Sequence, residues 1–109
     1  MLTLQKTELQ GHDVFELMQG RLQDTHWLES SVYLTEEVIN ETEFVKLCTH
    51  CLVNFNYYGP TEVNRAEWQQ MKQMAESSES VRTRQLIAEM DAWAIVCFQN
   101  HSCFTICGI

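Results

Sequence analysis

Apolar residues recur along most of this chain at the three- and four-residue spacing of amphipathic helices. The first such stripe consists of Val14, Leu17, Met18 and Leu22. It predicts a helix that begins near His12 or Asp13. A second helix is predicted over about 35–53, where the same spacing continues. The alternation of apolar residues between Val45 and Phe55 also fits a strand, so the periodicity leaves both structures open here.

The second half of the chain carries clearer helix boundaries. Asn64 followed by Glu67 is a capping-box variant, in which the asparagine side chain accepts a hydrogen bond from a main-chain amide of the first turn. This pair predicts a helix over about 65–76. Ser78 or Ser80 is expected to cap another helix, whose wide apolar stripe continues almost to the C-terminal segment.

The C-terminal segment favours a strand, because Cys103–Cys107 is rich in β-forming residues and follows a turn-like Asn-His-Ser sequence. Its expected partner is a small strand near 31–34 or near 53–58. One proline and four glycines leave few turns for a protein made mainly of strands. We therefore expect an α+β fold that is predominantly helical, with about four helices, and an all-α fold as the alternative.

The length of 109 residues and the apolar content of 45% suit one hydrophobic core. A single compact domain over 1–109 is expected. The first residues lack the apolar core of a signal peptide, and no apolar run approaches the roughly 18 residues of a membrane span. We therefore expect a cytoplasmic protein that makes no membrane contact. Its five cysteines, an odd number without dense spacing, suit reduced thiols.

Charge is unevenly distributed in this acidic chain, whose formal net charge is -8. Six acidic residues and no basic residue lie between Arg21 and Lys46. These are Asp24, Glu29, Glu36, Glu37, Glu41 and Glu43. The ordinary interpretation of any one of them is a solvated surface position. The whole stretch predicts a face for a basic protein partner, and the seven scattered Lys and Arg residues argue against nucleic acid.

Cysteine spacing suggests a metal site as one alternative. Cys48 and Cys51 have the C-x-x-C spacing of zinc ligands, and His101 with Cys103 can complete a tetrahedral set. The pair lies, however, in an apolar run without glycine or proline, which favours buried thiols. We expect no metal and no cofactor. The chain also lacks recognisable catalytic motifs, so we expect no enzymatic activity.

The aromatic segment around Tyr57 and Tyr58 is the clearest local candidate for a contact surface. A Gly-Pro turn beside two tyrosines can hold amphipathic rings rigidly in solvent. The alternative is that these rings close one end of the core. The predicted partner-binding set combines charge and aromatic anchors. It consists of Glu36, Glu37, Glu41, Glu43, Tyr57, Tyr58 and Glu62.

Three segments resemble small bacterial immunity proteins of polymorphic-toxin and contact-dependent growth inhibition systems. They are Val32–Glu37, Asn56–Glu62 followed by Trp68, and Cys103–Ile109. The resemblance implies a cytosolic, non-enzymatic protein that binds and neutralises a cognate toxin domain, often a nuclease. An acidic inhibitor suits a nuclease because the toxin's substrate cleft is cationic. The alternative is an adaptor whose groove, lined by methionine and aromatic residues, accepts a helix or peptide.

Overall fold

The computed structural model describes residues 1–11 and 13–108, which form four α-helices and a four-stranded antiparallel sheet. The elements are β1 Val14–Gln19, β2 Val32–Thr35, α1 Glu36–Glu41, α2 Phe44–Cys51, β3 Pro60–Asn64, α3 Arg65–Glu76, α4 Val81–Asn100 and β4 Cys103–Cys107. A short 3₁₀ turn at Lys6–Glu8 precedes them. The expectation of a predominantly helical protein is wrong, and so is the all-α alternative.

The largest error concerns the first apolar stripe, which forms strand β1 rather than a helix. All residues from Val14 to Met18 are buried, because both faces of β1 are covered. A strand buried on both faces loses the polar alternation that distinguishes strands from helices. The apolar spacing therefore fitted a helix by coincidence. The predicted start at His12 lies outside the described residues.

The strand order is β2-β1-β4-β3, so the C-terminal strand lies inside the sheet. Ile106 of β4 stands opposite Leu17 of β1 on one side and Thr61 of β3 on the other. A strand does form near the expected position 31–34, but it pairs with β1 and not with β4. The predicted pairing of the C-terminal strand with 31–34 or 53–58 is therefore wrong.

The single helix predicted over 35–53 is broken into α1 and α2. Thr35 caps α1 by accepting a hydrogen bond from the Val38 amide at 3.2 Å. The helix stops at Thr42, whose backbone is extended. The Glu43 amide then donates to the hydroxyl of Thr83 on α4 at 2.9 Å. This long-range hydrogen bond satisfies an amide that a continuous helix would have used internally.

The two later helices confirm the capping prediction. The Asn64 side chain accepts from the Glu67 amide at 2.8 Å, and the Glu67 carboxylate accepts from the Asn64 amide at 3.0 Å. Helix α3 then spans the predicted residues 65–76. Of the two serines proposed as the next cap, Ser80 is the one that accepts the amide of α4, from Thr83 at 3.1 Å.

One face of the sheet packs against the helices and forms the main core. The largest fully buried side chains of this layer are Phe15, Leu17, Leu34, Phe44, Leu47, Trp68, Met71, Leu86, Met90 and Phe104. Trp68 and Phe104 meet edge to face, with ring centroids 5.5 Å apart. Because Met71 and Met90 are fully buried here, they do not line an exposed groove for a partner helix.

The loop 20–31 covers the opposite face of the sheet and is held there by the carboxylate of Glu16. This side chain is only 2% exposed. It accepts hydrogen bonds from the amides of Trp27 and Leu28, both at 3.0 Å, and from the Ser31 hydroxyl at 2.7 Å. A carboxylate that accepts several hydrogen bonds offsets the cost of burying its charge.

Both outer strands of the sheet are partly closed to further pairing. Leu4 exchanges two main-chain hydrogen bonds of 2.9 Å with Tyr33 of β2. On β3, Pro60 has no amide hydrogen and the Asn64 amide is bound by Glu67. No helix within the described ranges is long and apolar enough to cross a membrane.

Candidate protein-binding surface

Sequence-distant candidates lie at the same end of the sheet, on segments that adjoin its two outer strands β2 and β3. The pairs Val14–Thr35, Glu16–Cys107 and Pro60–Cys107 stand opposite each other in the register. This end of the sheet therefore contains the first residues of β1 and β3 and the last residues of β2 and β4. We call it the Val14 edge. The first turn of α1 and the loop before β3 both leave the sheet from it.

Glu36 and Glu37 form the acidic part of the Val14 edge. Both residues are exposed in the first turn of α1. Neither carboxylate forms an ion pair with any residue in the described part of the chain. Acidic residues in a first helical turn also interact favourably with the helix dipole, which gives these two glutamates a local structural role as well.

Glu41 and Glu43 are engaged within the protein instead. The Glu41 carboxylate lies 2.8 Å from the Arg82 guanidinium on α4. Glu43 accepts a hydrogen bond from the Ser78 hydroxyl at 3.0 Å and stands immediately before α2. The break between α1 and α2 separates Glu43 from Glu36 and Glu37, whereas Glu41 shares their helix but is paired with Arg82. The predicted four-glutamate face is therefore reduced to two unpaired acids.

One of the two tyrosines closes the end of the core and the other is exposed, so each takes one of the two predicted roles. Tyr57 is half-buried, and its ring meets Phe15 edge to face at a centroid distance of 5.1 Å. Tyr58 meets Tyr57 edge to face, also at 5.1 Å, but remains 80% exposed. Tyr57 thus closes the end of the core, while Tyr58 presents an aromatic ring to solvent.

The loop that carries Tyr58 is held by main-chain hydrogen bonds. The Asn56 side chain accepts from the Tyr58 amide at 3.0 Å, and the Asn56 amide donates to the Thr61 hydroxyl at 3.1 Å. The Gly108 amide donates to the carbonyl oxygen of Gly59 at 3.2 Å. These contacts fix the backbone that carries the ring before any partner binds, which lowers the entropy cost of binding.

Glu62 does not belong to the same group. It lies within β3, opposite Thr105, with its side chain on the face that the loop 20–31 covers. Its carboxylate oxygen is 3.9 Å from the Cys103 sulfur. The sequence placed Glu62 beside the tyrosines because it is close to them along the chain, whereas the strand carries it away from the Val14 edge.

Sequence reasoning missed a groove at the same edge. It has a volume of about 600 Å³ and is lined by Leu4, Glu8, Leu9, Gln10, Gly11, Asp13, Val14 and Thr35. Glu8 and Asp13 lie outside the acidic stretch between Arg21 and Lys46. No local signal connects them to α1, because the N-terminal segment reaches the sheet through the long-range pairing of Leu4 with Tyr33.

The proposed metal ligands are spread over two parts of the fold. Cys48 and Cys51 lie on α2, whereas Cys103 lies on β4 with its side chain on the opposite face of the sheet. Within the described residues, no three His, Cys, Asp or Glu side chains are grouped to hold a metal ion. Burial raises the pKa of each of the three thiols.

A thiol, an imidazole and a carboxylate do come close together beneath the loop 20–31. Cys107 and His26 line a cleft of about 170 Å³, and the His26 Nδ1 atom lies 3.5 Å from the Glu16 carboxylate. Burial, with a further contribution from the Glu16 charge, raises the pKa of Cys107 to about 11. The thiol is therefore protonated at neutral pH, unlike an activated nucleophile.

Comparisons with known proteins add no constraint on function. No protein-family model, curated protein sequence or solved structure matches this chain. The interpretation of the Val14 edge therefore depends on its own geometry and charge. That edge combines two exposed, unpaired carboxylates with one rigidly held, exposed aromatic ring.

Proposed function

We propose that this protein is a non-enzymatic immunity protein that acts in the cytoplasm by binding and neutralising a cognate toxin domain. The expected toxin is a nuclease, whose cleft for a phosphate backbone is basic. The Val14 edge is the proposed contact surface. Glu36 and Glu37 attract and orient the basic partner, and Tyr58 anchors it.

The observation that carries this proposal is the exposure of Tyr58 at the same end of the sheet as two unpaired acidic groups. Tyr58 is 80% exposed, so most of its aromatic surface is available to a partner. Tyrosines held in this way are enriched at the energetic centres of protein interfaces. The nearby excess of negative charge favours a basic partner over an acidic one.

Co-expression with the toxin tests the biological role. The gene beside this one is expected to encode a large secreted protein with a toxic C-terminal domain. That domain, expressed alone, should arrest growth, and co-expression of the present protein should restore it. Continued arrest, or the absence of a toxic domain from the neighbouring genes, would contradict the proposal.

Charge reversal at the Val14 edge tests the surface. The variant Glu36→Lys/Glu37→Lys should slow association with the toxin and weaken the salt dependence of the rate, because both acids act on the diffusional encounter. The matched control is Glu76→Lys/Glu79→Lys, which makes the same change in net charge at exposed positions of α3 and the following loop. Equal slowing by both variants would assign the effect to overall charge.

The variant Tyr58→Ala tests the aromatic anchor separately. It should leave the association rate nearly unchanged and increase the dissociation rate by about tenfold or more, as loss of an interface anchor does. The control Tyr58→Phe retains the ring and should retain most of the affinity. An alanine variant that folds and dissociates at the wild-type rate would remove Tyr58 from the interface.

A further inference from the structure

We infer that the groove beside the N-terminal segment binds an extended basic segment of the protein partner. This inference rests on the proposed function, because it names the part of the partner that the Val14 edge would hold. The groove differs from the surface around Tyr58 in the residues that line it. Its volume of about 600 Å³ lies within the range of pockets that enclose ligands.

The floor and rim of the groove differ in chemistry. Leu4, Leu9 and Val14 provide an apolar surface, whereas Glu8 and Asp13 place exposed carboxylates at its margin. Lysine and arginine side chains combine an aliphatic stem with a charged end group. Such side chains can lay their stems on the apolar residues while the cationic ends reach the carboxylates.

Charge complementarity selects a basic occupant. The described residues that line the groove include two acids and no lysine or arginine. Thr35, at one end of the groove, directly precedes Glu36 and Glu37, so the negative charge continues onto α1. A second copy of this acidic chain would meet like charge at this position, which opposes self-association.

The pairing of Leu4 with the outer strand β2 limits how a partner segment can bind. Leu4 already uses its amide and carbonyl groups to pair with Tyr33, both at 2.9 Å. The partner segment therefore cannot add a strand to β2 at Tyr33. We expect its affinity to come mainly from side chains that enter the groove, so the spacing of its basic residues should matter more than its backbone conformation.

A short synthetic peptide tests the inference without the toxin. The probe is acetyl-Lys-Val-Lys-Val-Lys-amide, titrated into the ¹⁵N-labelled protein and followed by NMR. Saturable shifts are expected at the amides of Leu9, Gly11, Asp13 and Val14. The charge-reversed probe acetyl-Glu-Val-Glu-Val-Glu-amide should produce no saturable shifts there. Binding of both probes, or of neither, would overturn the inference.

Two kinds of variant locate the binding site. Glu8→Gln/Asp13→Asn should raise the dissociation constant of the basic peptide about fivefold, since each exposed ion pair contributes modestly. The glutamine at position 8 can still accept the hydrogen bond that the Gln5 amide donates to Glu8. The control Glu76→Gln/Glu79→Gln removes the same charge elsewhere and should change the dissociation constant less than about twofold.

Gly11→Trp adds a large uncharged side chain to the lining of the groove. A Cβ atom at Gly11 meets nothing within 4 Å, so the substitution is compatible with the fold. Peptide binding should be lost in this variant and retained in Gly11→Ala. If both variants bind as the wild type does, the groove is not the site. Toxin binding that survives in Gly11→Trp but fails in Glu36→Lys/Glu37→Lys would reject the groove and keep the proposed function.

Discussion

Gly108 packs directly against the main chain of Tyr57. A Cβ atom built on Gly108 would lie 1.8 Å from the carbonyl oxygen of Tyr57, which no side chain can tolerate without movement of the backbone. The close approach lets the Gly108 amide bond to Gly59 and fixes the loop that presents Tyr58. The backbone that carries the exposed ring is therefore positioned in part by a glycine about fifty residues away in sequence.

Gly108→Ala should displace the Tyr57–Gly59 segment and lower the free energy of unfolding by about 1–3 kcal/mol, the usual cost of an added group in a packed site. Urea denaturation measures the loss, and NMR shifts of the Tyr58 amide report the displacement. Gly11→Ala is the matched control because its Cβ atom enters open space. Equal stability of both variants would show that the loop adapts to the added methyl group.

Glu16→Gln should lower the free energy of unfolding by about 2–4 kcal/mol. The substitution removes the charge that strengthens the hydrogen bonds to Glu16, and it places an NH₂ group among hydrogen-bond donors. The loop 20–31 should become more sensitive to proteolysis. The control Glu29→Gln changes an exposed carboxylate in the same loop and should have little effect. Unchanged stability of Glu16→Gln would mean that the loop is held mainly by apolar contacts.

The carboxylate of Glu89 on α4 binds the N-terminal segment and should make its attachment pH-dependent. Burial raises the pKa of Glu89, but hydrogen bonds from the Thr3 amide and hydroxyl, the Gln85 side chain and the Leu2 amide outweigh burial and lower the pKa overall. A lowered pKa in the folded state contributes stability above the unfolded pKa of about 4.3, and this stability is lost as the pH falls below it.

The comparison of wild type with Glu89→Gln measures this contribution. The wild type should be more stable by about 1 kcal/mol at pH 6, a modest value for hydrogen bonds to a partly exposed carboxylate. The difference should shrink as the pH is lowered toward 3. Amide exchange at Leu2 and Thr3 should accelerate over the same range. A stability difference that is independent of pH would exclude this linkage.

The five cysteines should react slowly with a thiol reagent in the folded protein. Burial is the largest cause that raises the pKa of every one of these thiols. Cys51 is the only one of the five that is partly exposed, so it should react first. Five equivalents should react rapidly in urea. One thiol that reacts rapidly in the native protein at pH 7 would indicate an activated cysteine that the structure does not account for.

Local signals predicted the second half of the fold better than the first. The capping box at Asn64 and Glu67 depends on residues three positions apart, so it can be recognised without knowledge of the tertiary structure. The helical character assigned to Val14–Met18 failed because the loop 20–31 buries the second face of β1. That burial removes the pattern on which the prediction of a strand depends.

The candidate surface was predicted only in part. The sequence indicated Tyr58, Glu36 and Glu37, which all lie at the Val14 edge. It also included Glu41, although Arg82, some forty residues later, forms an ion pair with it. Contacts of this kind depend on how α4 packs relative to α1, so they cannot be predicted from the spacing of residues within the acidic stretch.

The sequence by itself determined the excess negative charge, the caps of α3 and α4 and the β character of Cys103–Cys107, because composition and short-range hydrogen bonds are local properties. Only the tertiary structure decided that β4 lies between β1 and β3 and that Glu8 and Asp13 share an edge with α1. Strand order and groove shape depend on contacts between residues far apart in the chain. Local spacing and composition do not determine which of these contacts form.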